Sequence, residues 1–253
     1  MEGWRGTSGA AKVRRGRLTR KIIKIAVLGL FLWCIYVGFR AVLGWIVGLP
    51  KVREVEVTGA RTVNPEEVVE RCGVRPGDRL YKVDIKEVVE RVKGMPWVRD
   101  VEVHRNLFGK LVLKIEERKP VALLVAGRLF PVDADGVVLS PLKVPPDLPL
   151  ITGVPEEGIK IGRRINYPPA ERALRWICGV GEVEPGLLDE ISEVNAEEGR
   201  LTAYLTDGTE VVLGGRPRQD ASYLCAVLQR LSQEGRKARF LDLRFSCQVV
   251  ARF

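Results

Sequence analysis

An apolar segment preceded by a basic tail constrains this chain more than any other feature. Residues 1–24 hold eight Lys or Arg and one acid, Glu2, and the fifteen residues Ile25–Phe39 carry no charge. A second apolar run, Ala41–Leu49, follows a single arginine. A bilayer core is crossed by about 20 apolar residues in helical conformation. The pattern therefore predicts one transmembrane helix over residues 25–49.

The charges that flank the apolar segment predict its orientation. Lys and Arg are enriched on the cytoplasmic side of membrane helices, so residues 1–24 are predicted to be a cytoplasmic tail and the chain after Pro50 to lie outside. A cleaved signal peptide is the alternative, but it has a shorter apolar region and an A-x-A-like cleavage site. The apolar run here continues to Val47-Gly48-Leu49, which is a poor cleavage motif, so an uncleaved anchor is favoured.

The formal net charge of +9 is concentrated near the start of the chain. Residues 1–24 carry +7 and Arg40 adds one, which leaves 32 basic and 31 acidic residues after Pro50, a net charge of +1. A basic tail beside an apolar helix sets topology and contacts anionic lipid. The nearly neutral remainder has no charge signature for nucleic acid, so no nucleic-acid partner is expected.

Four cysteines follow the apolar segment: Cys72, Cys178, Cys225 and Cys247. They permit two disulfides in any of three pairings. The first three fall on or beside the apolar faces of predicted helices, where a free thiol behaves as a small hydrophobic group, so buried thiols are favoured over disulfides. No C-x-x-C motif occurs and His104 is the only histidine, so no metal site is expected.

Residues 51–120 are predicted to form one compact domain with the element order β-α-α-β-β. Its predicted elements are a strand ending at Val57, a helix from Asn64-Pro65 to Gly73, a helix from Asp84 to Gly94, and strands around Val101–Val103 and Leu111–Ile115. Asn and Asp accept backbone N–H groups at helix starts, and Pro fits a first helical turn. The alternating apolar residues of the last two segments predict half-buried strands joined by a turn.

Several short motifs in this domain point to a known family. They are Val57-Thr58-Gly59, the spacing of Gly77, Leu80 and Asp84, Pro96-Trp97-Val98, Val103 with Arg105, and Glu117–Ala122. Together they resemble the POTRA domain of the bacterial division proteins FtsQ/DivIB, at the usual distance after a single anchor. One departure is Leu107-Phe108-Gly109, where the family more often carries a proline in the hairpin. The resemblance implies an α+β fold with a POTRA-type domain.

Residues 121–253 are predicted to form a second, strand-rich α+β domain. Its predicted elements are two short strands within Leu129–Leu139, a proline-rich loop over 141–155, helices at Pro168–Cys178 and Pro217–Glu234, a meander over Ile191–Val194, Arg200–Leu205 and Glu210–Leu213, and a terminal strand pair over 239–253. Leu150–Gly153 resembles the family motif PLITG, and Leu241–Phe245 resembles IDLRY.

A search for chemical motifs yields no candidate catalytic, cofactor-binding or metal-ligating residues. There is no Gly-rich phosphate loop, G-x-S-x-G elbow or H-E-x-x-H motif. His104 lies on the solvent-facing register of a predicted strand. Asp133–Gly136 mimics the start of a calcium loop, but Val137 and Val144 occupy later ligand positions, so a turn is favoured. With the resemblance, this favours a binding protein that has no cofactor, no small-molecule substrate and no enzymatic activity.

The resemblance implies a bitopic scaffold of the division machinery, in the plasma membrane at the septum, with its C-terminus outside. The implied partners are bitopic proteins resembling FtsL and FtsB/DivIC, the septal peptidoglycan synthase, and membrane lipid. A membrane-anchored cell-wall enzyme or substrate-capture module is one alternative, and it would need a pocket of convergent polar groups. A POTRA module of an outer-membrane assembly machine is another, and it would need repeated modules and a following barrel.

The C-terminal strand is the predicted partner-binding segment. An edge strand exposes unpaired backbone groups to which a partner segment adds as a further strand, and the resemblance implies that an FtsB-like partner binds here. Alternation over Ser246–Phe253 puts every second residue on one face, and the alternative interpretation is that Phe245 and its face close the core. The candidate residues are Phe245, Cys247, Val249, Val250, Ala251, Arg252 and Phe253.

Overall fold

The structure is a computed structural model, and it describes residues 10–47, 51–106, 108–197, 199–245 and 248–253 of the 253. Helix α1 spans Ala10–Val47, and those of its side chains that are described are exposed. Within the described part of the chain, no helix combines the length and the hydropathy that a bilayer crossing requires. The predicted anchor, residues 25–49, ends outside the described residues.

A small mixed sheet and two helices follow α1. The elements are β1 (Glu54–Thr58), α2 (Pro65–Cys72), α3 (Ile85–Lys93), β2 (Val98–Arg105) and β3 (Lys110–Glu117). The strand order is β1-β3-β2, with β1 parallel and β2 antiparallel to β3. The predicted β-α-α-β-β order is therefore confirmed.

The helices of the small domain begin where the sequence provides caps. The Asn64 side chain accepts a hydrogen bond from Glu66 N at 3.0 Å, and the Asp84 side chain accepts one from Lys86 N at 2.9 Å. Both caps satisfy backbone N–H groups that the helix itself leaves without a partner. Gly73 ends α2 at a φ of 73°, a left-handed conformation that glycine adopts without strain. The buried residues of the two helices, Val68, Cys72, Val88 and Val92, belong to the apolar core of this domain.

A larger sheet with two helices forms the rest of the chain. Its elements are β4 (Pro120–Ala126), β5 (Arg128–Asp133), β6 (Leu150–Thr152), α4 (Pro168–Val183), β7 (Ile191–Asn195), β8 (Thr202–Leu205), β9 (Glu210–Val212), α5 (Pro217–Gln233), β10 (Phe240–Asp242) and β11 (Val250–Arg252). Among the described residues the order is β11-β10-β9-β8-β7-β6-β4-β5. Buried residues of α4 and α5 pack with those of the strands in one core.

Two predictions for this domain are wrong in detail. The strand pair predicted within Leu129–Leu139 is shorter than expected: β5 is a strand, and after the turn only an isolated antiparallel bridge from Val138 to Val132 pairs back to it. The other side of β5 pairs with β4, a strand that was not predicted. Leu150–Thr152 is not loop but a central strand, because β4 and β7 pair with it in parallel on either side.

The two domains share a joint at the end of the small sheet where β3 ends. Leu139, which follows β5 in the chain, is fully buried in the apolar core of the small domain. Trp97 Nε1 donates to Ser140 O at 3.2 Å, and Arg118 Nη1 lies 2.5 Å from Asp133 Oδ2. The Arg118 side chain is 18% exposed and that of Asp133 only 5%, so the ion pair is largely enclosed. Apolar and ionic contacts therefore join the domains directly.

Candidate functional site: the outer edge of the large sheet

Strand β11 is the outermost strand at one end of the large sheet. It pairs antiparallel with β10 in the register Phe240–Arg252, Leu241–Ala251 and Asp242–Val250. In the described part of the chain no strand pairs with its other side. The outer side of β11 therefore presents backbone groups to which another strand is able to add.

The side chains of this segment alternate between the core and solvent. Val249 and Ala251 are half-buried and pack against the apolar core, whereas Val250 and Arg252 are exposed. Phe253 is 56% exposed, and the guanidinium of Arg236 lies 3.7 Å from its ring centroid. Aromatic and apolar side chains thus stand beside the open backbone edge.

An ion pair shapes the chain where it leaves β10. The carboxylate of Asp242 accepts hydrogen bonds from Arg244 N at 3.0 Å and from Arg244 Nη2 at 2.7 Å. These bonds to Arg244 lower the pKa of Asp242 below its ordinary value. Because the Asp242 side chain captures the N–H two residues later, it turns the backbone out of the strand. This explains why β10 ends at Asp242 although the sequence analysis extended the strand to Phe245.

A buried polar chain supports the same turn from beneath. Asp220 Oδ2 accepts hydrogen bonds from Trp176 Nε1 at 3.1 Å and from Arg216 N at 3.3 Å. Arg216 Nη2 donates to Leu243 O at 3.4 Å and to Arg244 O at 3.3 Å. Burial raises the pKa of Asp220, although its hydrogen bonds oppose that effect. The contacts connect both helices to the end of β10.

This polar chain was not predicted, because it matches no motif and because Trp176 and Leu243 are distant in sequence from Arg216 and Asp220. Asp220 lies in the first turn of α5. An acid at that position is ordinarily interpreted as a surface residue that interacts favourably with the helix dipole. Trp176 lies within α4, where the sequence predicts only that it belongs to the apolar core. Only the packing of the two helices brings them together.

A cavity of about 760 Å³ lies between α4 and the start of α5. Its lining includes Arg172, Arg175, Arg216 and Arg218. Three of these guanidinium groups are engaged by the protein. Arg218 Nη2 lies 2.9 Å from Glu182 Oε2, Arg216 binds two backbone carbonyls, and Arg175 Nε donates to Glu171 O at 3.4 Å. Among the described residues, no cluster of three or more His, Cys, Asp or Glu is placed to hold a metal ion.

Comparisons with known proteins match both domains. The POTRA domain of the FtsQ type matches residues 51–118, and the C-terminal domain of cell division protein FtsQ/DivIB matches residues 122–244. The chain belongs to the FtsQ/DivIB family of cell-division proteins. The resemblance proposed from the sequence motifs is thus confirmed, and the mixed α+β fold agrees with it.

Relatives in the FtsQ/DivIB family are similar over most of their length. The cell division protein FtsQ of Anaeromyxobacter sp. strain K is 32% identical over 91% of this chain and 80% of its own length. That of Geotalea daltonii is 30% identical over 80% of this chain and 75% of its own length. The solved extracytoplasmic domain of the division protein DivIB from Geobacillus stearothermophilus is 22% identical and covers 47% of this chain and 97% of its own length, with a TM-score of 0.33.

Only some of the predicted partner-binding residues near the C-terminus lie together on one strand. Val250, Ala251 and Arg252 form β11, and Phe253 follows directly. Phe245 is 44% exposed but lies in the turn after β10 rather than on the strand. Cys247 lies outside the described residues. Of the strand predicted over Ser246–Phe253, the structure shows three residues in strand conformation, Val250–Arg252.

Proposed function

We propose that this chain is a non-enzymatic scaffold of the division machinery that captures a partner protein by strand addition on β11. The observation that carries the proposal is the open outer side of β11, which has no strand partner among the described residues. Strand addition draws its affinity from backbone hydrogen bonds and its specificity from alternate side chains. Exposed Val250 and Phe253 supply apolar contacts beside that edge.

The charge around the edge favours a particular partner segment. Four arginines lie on or beside β10 and β11: Arg236, Arg239, Arg244 and Arg252. Arg244 is paired with Asp242 at 2.7 Å and Arg236 with Glu234 at 3.7 Å, so the net positive charge of the edge comes from Arg239 and Arg252. Electrostatic complementarity speeds association and sets the register of docking. The partner strand should therefore carry apolar residues interspersed with acids. Bitopic division proteins resembling FtsB/DivIC and FtsL are the proposed partners, and through them the septal peptidoglycan synthase.

The proposal includes a membrane anchor. We place residues 1–24 in the cytoplasm as a basic tail, residues 25–49 in the membrane, and the POTRA domain (51–120) and C-terminal domain (121–253) outside at the division septum. The support is the sequence pattern, with eight basic residues ahead of an uncharged run of fifteen. Added protease should digest everything after Pro50 in spheroplasts and spare the tail. Protection of the C-terminal domain would reject this orientation.

The alternative of a cell-wall enzyme or capture module has less support. The arginine-lined cavity is the place where it would act, since anionic groups bind arginine clusters. However, Arg216 and Arg218 already bind the protein's own carbonyls and carboxylate. Those contacts explain the two arginines as supports for the turn after β10 and for the α4–α5 contact.

Affinity purification of the full-length protein from its own membrane tests the scaffold proposal. We expect bitopic division proteins to co-purify with the unaltered chain and to be lost when Val250–Phe253 is deleted. The melting temperature of the deletion variant should be nearly unchanged, because Val250, Arg252 and Phe253 are exposed and Ala251, although half-buried against the core, is small.

A matched pair of variants separates docking from general surface effects. Val250→Asp/Phe253→Asp adds two acids at the edge, and Val144→Asp/Val183→Asp adds two acids at exposed positions elsewhere. We expect the first pair to abolish partner capture and the second to retain it. Full capture by the edge variant, or unfolding of the domain by the deletion, would reject β11 as the docking strand.

A further inference from the structure

Three loop segments meet at the end of the POTRA domain where the chain enters it. They are residues 51–53, residues 75–83, and residues 105–106 with 108–110, called here the basal loops, and the last set includes the end of β2 and the start of β3. Leu107 lies outside the described residues and is not part of this surface. Val52 N donates to Asp78 O at 2.7 Å, and Gly77 N donates to Val52 O at 2.7 Å. Arg53 N donates to Gly109 O at 2.8 Å, which ties the β2–β3 hairpin to the same point.

A close backbone approach fixes the hairpin beside residue 51. Gly109 is buried with a φ of +90°, and a Cβ atom there would lie 2.4 Å from Lys51 O. Asn106 organises the tip, since its Oδ1 accepts from Phe108 N at 3.1 Å and its backbone O accepts from Gly109 N at 3.1 Å. Asn106, Phe108 and Gly109 are therefore linked by hydrogen bonds next to the point at which the chain enters the domain.

The basal loops concentrate positive charge. They hold seven basic residues and one acid, Asp78, although the whole chain after Pro50 is only +1. Lys110 is paired with Glu56 at 2.6 Å and with Glu54 at 3.9 Å, so it adds little free charge. The other six are exposed: Lys51, Arg53, Arg75, Arg79, Lys82 and Arg105. The rest of the chain after Pro50 is correspondingly acidic.

Two exposed aromatic side chains lie among these charges. Phe108 is 78% exposed at the hairpin tip, more than any other aromatic residue that the structure describes. Tyr81 is 47% exposed, and its hydroxyl accepts from Arg79 Nη1 at 3.3 Å. Aromatic rings flanked by Lys and Arg suit the boundary between lipid headgroups and water.

The length of the connection holds the basal loops near the end of α1. Lys51 is four residues after Val47, the last residue of the helix. An extended chain spans at most about 3.5 Å per residue, so the two lie within about 14 Å of each other. If the helix crosses the bilayer as proposed, the basal loops are held at its outer surface.

We propose that the basal loops form a membrane-contacting surface, with Phe108 inserted among the headgroups of an anionic lipid layer and the exposed arginines and lysines around it. The inference rests on the proposed anchor. Juxtamembrane basic groups gain attraction from anionic lipid, and an exposed aromatic ring gains by leaving water. The contact would fix the tilt of the POTRA domain on the membrane.

Photo-crosslinking in reconstituted full-length protein tests this surface. A benzoylphenylalanine is placed at Phe108, Val144 or Phe253, all exposed positions, in vesicles of phosphatidylcholine with phosphatidylglycerol. We expect lipid adducts from position 108 and none from 144 or 253. Adducts from position 108 that contain only protein would point to a protein partner and overturn the membrane assignment, and lipid adducts of equal yield at all three positions would also overturn it.

A charge-reversed pair of variants tests the basic surface. Arg53→Glu/Arg79→Glu/Lys82→Glu reverses three charges in the basal loops, and Lys143→Glu/Lys160→Glu/Arg164→Glu makes the same change at exposed sites of the C-terminal domain. We expect the first set to lower the lipid adduct yield at position 108 about tenfold and the second to leave it unchanged. Vesicles of phosphatidylcholine alone should lower the yield similarly. No difference between the two variant sets would overturn the role of charge.

Carbonate extraction separates this inference from the proposed function. Full-length protein that is released from the vesicles by alkaline carbonate has no anchor, and then the proposed membrane function fails. Protein that stays in the membrane but gives no lipid adduct at position 108 rejects the basal contact alone.

Discussion

The two edges of the large sheet differ in whether the chain itself pairs with them. The edge at β5 is closed by the same chain, since Leu139 N donates to Pro131 O at 2.7 Å and Asp133 N donates to Val137 O at 3.2 Å. The edge at β11 is open on its outer side among the described residues, and Val250 is 38% exposed. An unprotected edge invites aggregation, so proteins ordinarily cover it. Under the proposed function, the open edge is the one that a partner strand covers.

Hydrogen exchange with and without the partner should show the largest difference between the edges. At a free partner concentration about 100-fold above its Kd, the outward amides of β11 should exchange about 100-fold more slowly, because the bound state must open first. The amides of β5 should be unchanged, since its edge is already paired. Slowing at β5 without slowing at β11 would reverse the assignment of the two edges.

Leu139→Ala and Val250→Ala form a matched pair for stability. Leu139 is fully buried in the POTRA core, so its truncation should cost about 3 kcal/mol of unfolding free energy. Val250 is 38% exposed, so its truncation should cost less than about 0.5 kcal/mol. Urea denaturation of residues 51–253 measures both. Equal losses of unfolding free energy would show that β11 contributes as much to stability as the closed edge does.

Arg118→Ala should have a smaller effect at the closed edge. The substitution leaves the carboxylate of Asp133, whose side chain is 5% exposed, without its cation. An uncompensated buried charge is costly, but solvent reaches Arg118, so we expect a loss of about 2 kcal/mol. Arg118→Ala/Asp133→Asn should recover part of that loss. Urea denaturation that shows no recovery would mean that Arg118 acts through packing alone.

The smallest predicted effect concerns the turn beside the open edge. Bonds from Arg244 lower the pKa of Asp242 in the folded state, so the ion pair stabilises the fold above the unfolded-state pKa. That contribution is lost as the pH falls through the lowered folded-state pKa. Asp242→Asn should therefore cost about 1 kcal/mol at neutral pH, with the difference from the unaltered chain shrinking below about pH 4. A pH-independent difference in denaturation would contradict this.

The POTRA domain was predictable because its signals are local. Asn64, Asp84 and the alternation in β2 and β3 each specify an element within a few residues. The large sheet depends instead on pairing between distant segments. Strand β6, Leu150–Thr152, is only three residues long and follows a proline-rich stretch. No local sequence signal predicts that β4 and β7 pair with it.

The location of the candidate site could be predicted from the sequence, but the side-chain contacts that support it could not. Alternation and the terminal position indicate an edge strand at β11, and the family resemblance points to the same segment. The support beneath it could not be predicted from the sequence, because Trp176 reaches Asp220 only after α4 and α5 pack together. The end of β10 depends on the Asp242–Arg244 contact, which alternation alone does not reveal.

Strand β3 gives the proposed complex a definite height. It runs from the basal loops at Lys110 to the joint at Glu117, a span of about 25 Å at the usual rise per residue. If the basal loops rest on lipid, the C-terminal domain begins about that far above the bilayer. A bitopic partner that rises as a helix needs about 17 residues beyond its own membrane exit to reach that level, at 1.5 Å per residue. If β3 stands upright on the bilayer, the segment of such a helical partner that pairs with β11 should lie about this many residues beyond its transmembrane helix.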